Sequence, residues 1–400
     1  MTTASLKRSA DSHAALIAVL LVMALSLLVQ HDVDTRRTLL FLTGVGLGVT
    51  LLHAAFGFTG GWRRLYLTGE GRVVRAQILL LALTSLLFFP LLGDVFPGLS
   101  VNGATGIFGV AVLVGAFMFG IGMQLAGGCG SGTLFTVGGG NVGMLIVLIF
   151  FILGSFVATA HVGWWWALPN IGKPTLIAKL GWLPALLLQM VVFALLYAIV
   201  RHYERKRRGR VATLQEKEDN RPVLDRLIFG NWPLWWAVVG IAVLNLVTLL
   251  LSGHPWTITF AFGLWGAKIF TALGGDVSNW DYWSGGYAAR ALASSVLADE
   301  TSLMDFGIIL GAMLAAALAG KYAPDRHIDR KRIMLAITGG FLMGYGARLA
   351  FGCNIGGMMA GIVSGSLHGW LWLLAGFTGS LFGLRMRAWL GVDRPRGKQA

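Results

Sequence analysis

Eleven predominantly apolar runs, near residues 14–30, 39–56, 73–92, 106–126, 142–161, 182–200, 234–251, 257–273, 303–320, 333–351 and 369–388, dominate this chain of 400 residues. As helices, such runs reach about 25–30 Å, close to the ~30 Å hydrocarbon thickness of a bilayer. A helix bonds its own backbone internally, so it can sit in lipid without leaving polar groups exposed. Only 12% of the residues are charged, about half the ~25% of a soluble domain. A water-soluble enzyme and a disordered chain are both excluded. The expected class is an all-α, polytopic membrane protein.

The 32 basic and 18 acidic residues leave a formal charge of +14. The basic residues cluster between the apolar runs, as the positive-inside rule requires, so they argue for topology rather than for nucleic-acid binding. Two cysteines exclude a disulfide scaffold and a four-ligand structural zinc or iron–sulfur site. The first run follows Lys7 and Arg8 and has no small-x-small cleavage site, so it is read as an uncleaved span.

Arg201–Arg226 is polar and aperiodic, and contains Glu204-Arg205-Lys206-Arg207-Arg208 and Gln215-Glu216-Lys217-Glu218-Asp219. It is expected to be a cytoplasmic linker, dividing the chain into a membrane half at 1–200, a basic linker at 201–230 and a second half at 231–400. Lys321–Arg332 and the tail from Arg385 to Lys398 should face the same side, and 93–105, without Lys or Arg, the other. For 274–302 two readings stay open, an amphipathic surface helix and a broken span.

The two halves repeat each other. Cys129 and Cys353 lie 224 residues apart, and at that offset Gly115, Phe117, Gly120, Gly122, Leu125, Ala126, Gly128 and Gly132 fall on identical residues. The segments read GAFMFGIGMQLAGGCGSG and GGFLMGYGARLAFGCNIG; Gly154-Ser155 and Gly379-Ser380 continue the match with a shift of one. The loop charges put the spans before the two cysteines in opposite orientations. The fold expected is therefore two homologous inverted repeats, as in transporters whose substrate sites lie near mid-membrane.

Glycine-rich breaks surround each cysteine: Gly127-Gly128-Cys129-Gly130-Ser131-Gly132 and Gly352-Cys353-Asn354-Ile355-Gly356-Gly357. A helix restarting after such a break offers unpaired N–H groups and a positive dipole end to an anion. Glycines such as Gly44, Gly48 and Gly120 have a simpler use, close helix packing. A thiol is soft and polarizable, and suits a substrate that presents sulfur or selenium. Arg348 is an ionisable group inside an apolar run, and its repeat partner is Gln124. Two roles are open for Arg348: neutralising an anion, or tying down a helix end. The candidate substrate-binding residues are Cys129, Cys353, Arg348, Gly128, Gly130, Gly352, Asn354 and Gln124.

Elsewhere the chain offers less. His53, His161, His254 and His368 have no metal-ligand spacing, and no metal site is expected. Trp164-Trp165-Trp166, Trp232, Trp235 and Trp236 read as interfacial anchors, and Asp276 and Asp281 as solvated. No catalytic triad, phosphate loop or paired intramembrane carboxylate is apparent.

Gly346-Ala347-Arg348-Leu349-Ala350-Phe351-Gly352-Cys353-Asn354, with Ser366-Leu367-His368-Gly369-Trp370, resembles the YeeE/YedE sulfur-transport family. Ala126-Gly127-Gly128-Cys129 is similar to that family's other cysteine motif. Phe56-Gly57-Phe58-Thr59-Gly60-Gly61-Trp62-Arg63 resembles a third motif, in which a cysteine normally stands where this chain has Gly57. The resemblance implies a bacterial inner-membrane protein with re-entrant half-helices around a central constriction, taking up thiosulfate without a cofactor. It implies that Cys129 and Cys353 are relay thiols, and it makes a small soluble sulfur-carrier protein the expected partner. Selenium-compound transport and a membrane-embedded sulfurtransferase carrying a cysteine persulfide are the alternatives.

Overall fold

The computed structural model describes residues 10–214, 221–322, 324 and 329–392. In chain order the helices are α1 (Ser12–Asp32), α2 (Thr35–His53), α3 (Phe58–Thr68), α4 (Arg72–Leu92), α5 (Val110–Ala126), α6 (Gly130–Gly138), α7 (Val142–Thr159), α8 (Val162–Ala167), α9 (Leu176–Leu180) and α10 (Trp182–Arg208). There follow α11 (Val223–Phe229), α12 (Leu234–Ser252), α13 (Thr259–Ala272), α14 (Gly286–Ala293), α15 (Glu300–Leu318), α16 (Arg330–Leu349), a π turn at Asn354–Met359, α17 (Ala360–Val363) and α18 (Leu367–Trp389). Among the described residues there are ten segments long and apolar enough to span a membrane, and no strand beyond isolated bridges. The protein is an all-α polytopic membrane protein.

The run at 257–273 is the exception among the eleven. Its helix, α13, has 14 residues and is only about 21 Å long, short of the ~30 Å needed to cross. The stretch 274–302 forms no span either. It holds α14 and a 3₁₀ turn at Val296–Ala298, and it folds back so that Val277 and Trp283 are buried against Phe156 and Leu264. Asp276 and Asp281 are exposed.

The linker begins later than the charge pattern suggests, because α10 continues through Arg208. Its last turn carries Arg205, Lys206, Arg207 and Arg208, cations favoured at the negative end of a helix dipole. Glu204, within that charged run, is fully buried and pairs with Arg75 of α4 at 2.9 Å. The same carboxylate accepts the Ala212 N–H. Residues 215–220, including Gln215-Glu216-Lys217-Glu218-Asp219, and the tail beyond 392 lie outside the described residues.

Small residues set the helix packing. A β-carbon on Gly44 would lie 2.4 Å from the Met304 carbonyl oxygen, and one on Gly48 2.2 Å from that of Ile308; α2 and α15 therefore touch backbone to backbone, as the close-packing reading requires. The cysteine-bearing segments interlock in the same way. Gly120 of α5 faces the Gly376 carbonyl and Ser380 N–H of α18, while Gly344 of α16 faces the Phe151 carbonyl and Ser155 N–H of α7. Gly122 approaches Gly339 and Met343, and Gly346 approaches Gly115 and Phe119, so α5 and α16 run antiparallel. The peripheral α1 and α10 expose Leu16, Leu20, Leu27, Leu187, Leu195 and Ile199 to lipid.

Candidate functional site

Both cysteines are free and buried, each as the N-cap of a short helix. The chain reaches Cys129 by ending α5 on Gly127, whose φ of 84° is the left-handed conformation a β-carbon disfavours. At the equivalent place after α16 stands Phe351, also left-handed at φ 61°. The strain there is held by packing: the Phe351 ring stacks on Trp166 at 4.9 Å and meets His368 edge-on. Gly352 follows at φ 143°, and a β-carbon on it would lie 2.4 Å from the Gly357 nitrogen, so no side chain fits.

The two breaks meet. A β-carbon on Gly130 would lie 2.9 Å from the Cys353 sulfur and 3.7 Å from Ile258, the residue that precedes α13. In α6 the first intrahelical bond is from Thr133 N–H to the Cys129 carbonyl, so the N–H groups of Gly130, Ser131 and Gly132 precede the helical ladder. Around Cys353 the thiol accepts the Ile355 N–H at 3.4 Å, and Gly357 and Met358 bond the Cys353 carbonyl. Cys129 has Ser131 Oγ at 3.6 Å. Asn354 is fully buried, and neither atom of its amide has a hydrogen-bond partner. A buried amide left unbonded costs about 1–3 kcal/mol, which a ligand in contact with it would recover. Gly128 has room beside Met144.

Arg348 and Gln124 do corresponding work. Arg348 Nη2 donates to the Thr259 carbonyl at 2.8 Å and to Ser155 Oγ at 2.9 Å. Gln124 Nε2 donates to the Thr59 carbonyl at 3.3 Å and to Ser380 Oγ at 2.7 Å. Each therefore ties the first turn of a short helix, α13 or α3, to a serine on the helix that follows the opposite break. Of the two roles open for Arg348, this geometry supplies the tying one. The guanidinium also bonds Tyr282 Oη, stacks over that ring at 4.8 Å and faces a cavity.

That cavity, of about 480 Å³, is lined by His254, Thr257, Thr259, Glu300, Arg348 and Gly352, among others. It opens at the end of the molecule where α16 finishes. A second cavity, of about 390 Å³, includes Gly127, Arg63, Arg332 and Arg387 and lies at the opposite, basic end. Arg387 there caps the last carbonyls of α5, at Gln124 and Leu125. Gly352, next to Cys353, lines the first cavity, and Gly127, two residues before Cys129, lines the second.

A family model described as sulphur transport matches residues 53–382. The chain belongs to that family. Among relatives of this sulphur-transport protein, a thiosulfate transporter, TsuA, from Spirochaeta thermophila is 28% identical over 352 residues, covering 82% of this chain and 92% of the relative. The Escherichia coli protein of the same name is 24% identical over 364 residues, covering 89% and 94%. A probable transporter, YedE, from Salmonella typhimurium is 34% identical over 149 residues, covering 37% and 36%. This family member is a multi-pass membrane transporter and not an enzyme.

Sequence reasoning missed several residues of the junction. Ser155 and Ser380 were visible as a repeat match, but their bonds to Arg348 and Gln124 join different halves and leave no local pattern. Ile258 carries no chemical signal at all. Outside the junction, Asp305 of α15, inside the run 303–320, was legible as an intramembrane acid, just as Arg75 and Lys268 were as cations within their runs. Trp165 and Trp166 are more than interfacial anchors: they bond Tyr345 Oη and the Leu349 carbonyl.

Proposed function

We propose that this protein carries thiosulfate across a bacterial inner membrane, passing the ion between the thiols of Cys353 and Cys129. The observation that carries the reading is the apposition of the two breaks, with Gly130 against the Cys353 sulfur. The antiparallel course of α5 and α16, whose sequences repeat, supports an inverted-repeat origin in which two half-helix N-termini converge. The full-length similarity to proteins named as thiosulfate transporters supports the substrate.

In this mechanism the dianion enters the 480 Å³ vestibule. It exchanges water for the Asn354 amide and for the N–H groups of Gly130, Ser131 and Gly132, whose helix dipole favours negative charge. Its terminal sulfur makes weak contacts with one thiol and then the other, and weak contacts let it leave again. The basic vestibule, with Arg63, Arg332 and Arg387, lowers the potential energy of the departing anion. A soluble sulfur carrier is the acceptor expected there. Burial of both thiols weighs against a persulfide exchanged with a water-soluble acceptor, since exchange needs access.

The test is uptake of ³⁵S-thiosulfate by bacteria stripped of their own uptake systems. Expression of this protein restores uptake, and a tenfold excess of unlabelled thiosulfate abolishes it while sulfate does not. A well-expressed protein that leaves uptake at background removes thiosulfate as the substrate.

A further inference from the structure

Asp305 is fully buried in α15, and neither carboxylate oxygen has a hydrogen-bond partner. It is the sixth residue of α15, as Gln77 is the sixth residue of α4. Gln77 is satisfied: it donates to the Gly57 carbonyl ahead of α3 and accepts from Trp62. Asp305 has no such bond. An unpaired carboxylate in a low-dielectric interior is expensive, and intramembrane acids of this kind are functional by default.

No described cation relieves it. From α2, Arg36 pairs with Glu300, and Arg37 with Asp34 and the Ala298 carbonyl. From α13, Lys268 is bonded to the Leu292 and Ser294 carbonyls. On the approach to α15, Asp299 is held by Tyr287 and Ser302. At the end of α1, His31 and Asp32 pair with each other, and Arg226 of α11 lies over Trp236. The chain of α6 has no titratable group. Among the described residues, Asp299 and Cys353 also interact electrostatically with Asp305, and neither is a cation.

The position is suggestive on both sides. One turn back, Thr301 lines the 480 Å³ vestibule with Glu300 and Met304, and Thr301 Oγ1 is 3.4 Å from Thr257 Oγ1. One turn on, the Ile309 carbonyl packs on Gly138 of α6, the half-helix that Cys129 caps. Asp305 therefore stands between the vestibule and the C-terminal end of α6, the helix that Cys129 caps at its other end.

We infer that Asp305 is a proton-binding site that couples anion movement to protons. It takes up a proton from the vestibule as the anion enters, forming one O–H bond, and releases that proton on the basic side as the anion leaves; no electrons move. A carboxyl can do this and an amide cannot. The inference rests on the thiosulfate reading for its cargo.

The experiment uses the purified full chain in proteoliposomes. Without a gradient, thiosulfate counterflow reports an intact path. With an acid-outside gradient of about one pH unit, wild-type protein accumulates thiosulfate about tenfold for each proton coupled. Asp305→Asn, which mimics the protonated acid, keeps counterflow and loses the response to the gradient; Asp305→Glu keeps both. A full gradient response in Asp305→Asn overturns the inference, as does a wild type driven by a sodium gradient and indifferent to pH. Absence of counterflow in wild-type protein defeats the substrate reading instead. Infrared titration then decides Asp305 without any substrate: a titrating carboxylic carbonyl band missing from Asp305→Asn upholds the proton site, and identical bands overturn it.

Discussion

Around Cys129 the chain stops α5 on a glycine and ties α3 to α18 through the neutral amide of Gln124. Around Cys353 it stops α16 on a left-handed phenylalanine and ties α13 to α7 through the charged Arg348. The hydrogen-bond plan is shared and the parts differ. The first break is made by backbone freedom alone and continues as a regular helix. The second is forced by packing on Trp166, continues as a π turn, and adds the unbonded Asn354, the Arg348 guanidinium beside a cavity and the orphaned Asp305 nearby. The ties are laid out alike on the two sides, and the unbonded Asn354 and Asp305 belong to the side of Cys353.

The largest test of this comparison is Arg348→Ala. It leaves Ser155, Thr259 and Tyr282 without their donor, and at about 1.5–3 kcal/mol for each charged hydrogen bond it should cost several kcal/mol, read as a loss of thermal stability in detergent. Arg348→Gln, which makes the second half resemble the first, should recover part of that loss. A stability equal to wild type in Arg348→Ala would mean the tie has no mechanical role.

The glycine pair tests the symmetry of packing. Gly120→Ala and Gly344→Ala each push a β-carbon within 2.1–2.2 Å of a carbonyl oxygen and should destabilise equally, by about 1–3 kcal/mol. Unequal melting shifts would show that one half carries the interface. Gln124→Ala follows, with two neutral bonds lost and a cost of about 2 kcal/mol, smaller than that of Arg348→Ala on the same assay. The smallest effect belongs to Gly57→Cys. A β-carbon at Gly57 meets nothing within 4 Å and its φ is −140°, ordinary extended backbone. Stability should change by less than about 0.5 kcal/mol, and uptake should not fall. A large stability loss would mean that the position is closed to the side chain the family motif normally places there.

Much of this arrangement was legible in the sequence because it is written locally. Apolar runs gave the spans, and the shared offset of Cys129 and Cys353 paired the two breaks. The offset by one between Gly154-Ser155 and Gly379-Ser380 reappears in the packing of Gly120 and Gly344. What was hidden depends on distance in the chain. The short length of α13 is masked by an apolar stretch that runs past its end, and α10 runs on into a linker that looks uniformly solvated until Glu204 finds Arg75. The partners of Arg348 lie on α7, α13 and the 274–299 stretch, which no spacing rule connects.

The most direct measurement of the central claim is thiosulfate counterflow by purified Cys129→Ser and Cys353→Ser proteins, each matched to wild type for thermal stability. Serine preserves size and removes the soft contact. The account predicts that both variants melt within about 1 kcal/mol of wild type and that both lose most of their counterflow. Normal exchange by both serine variants would contradict the thiol relay and leave the half-helix N-termini to carry the anion alone.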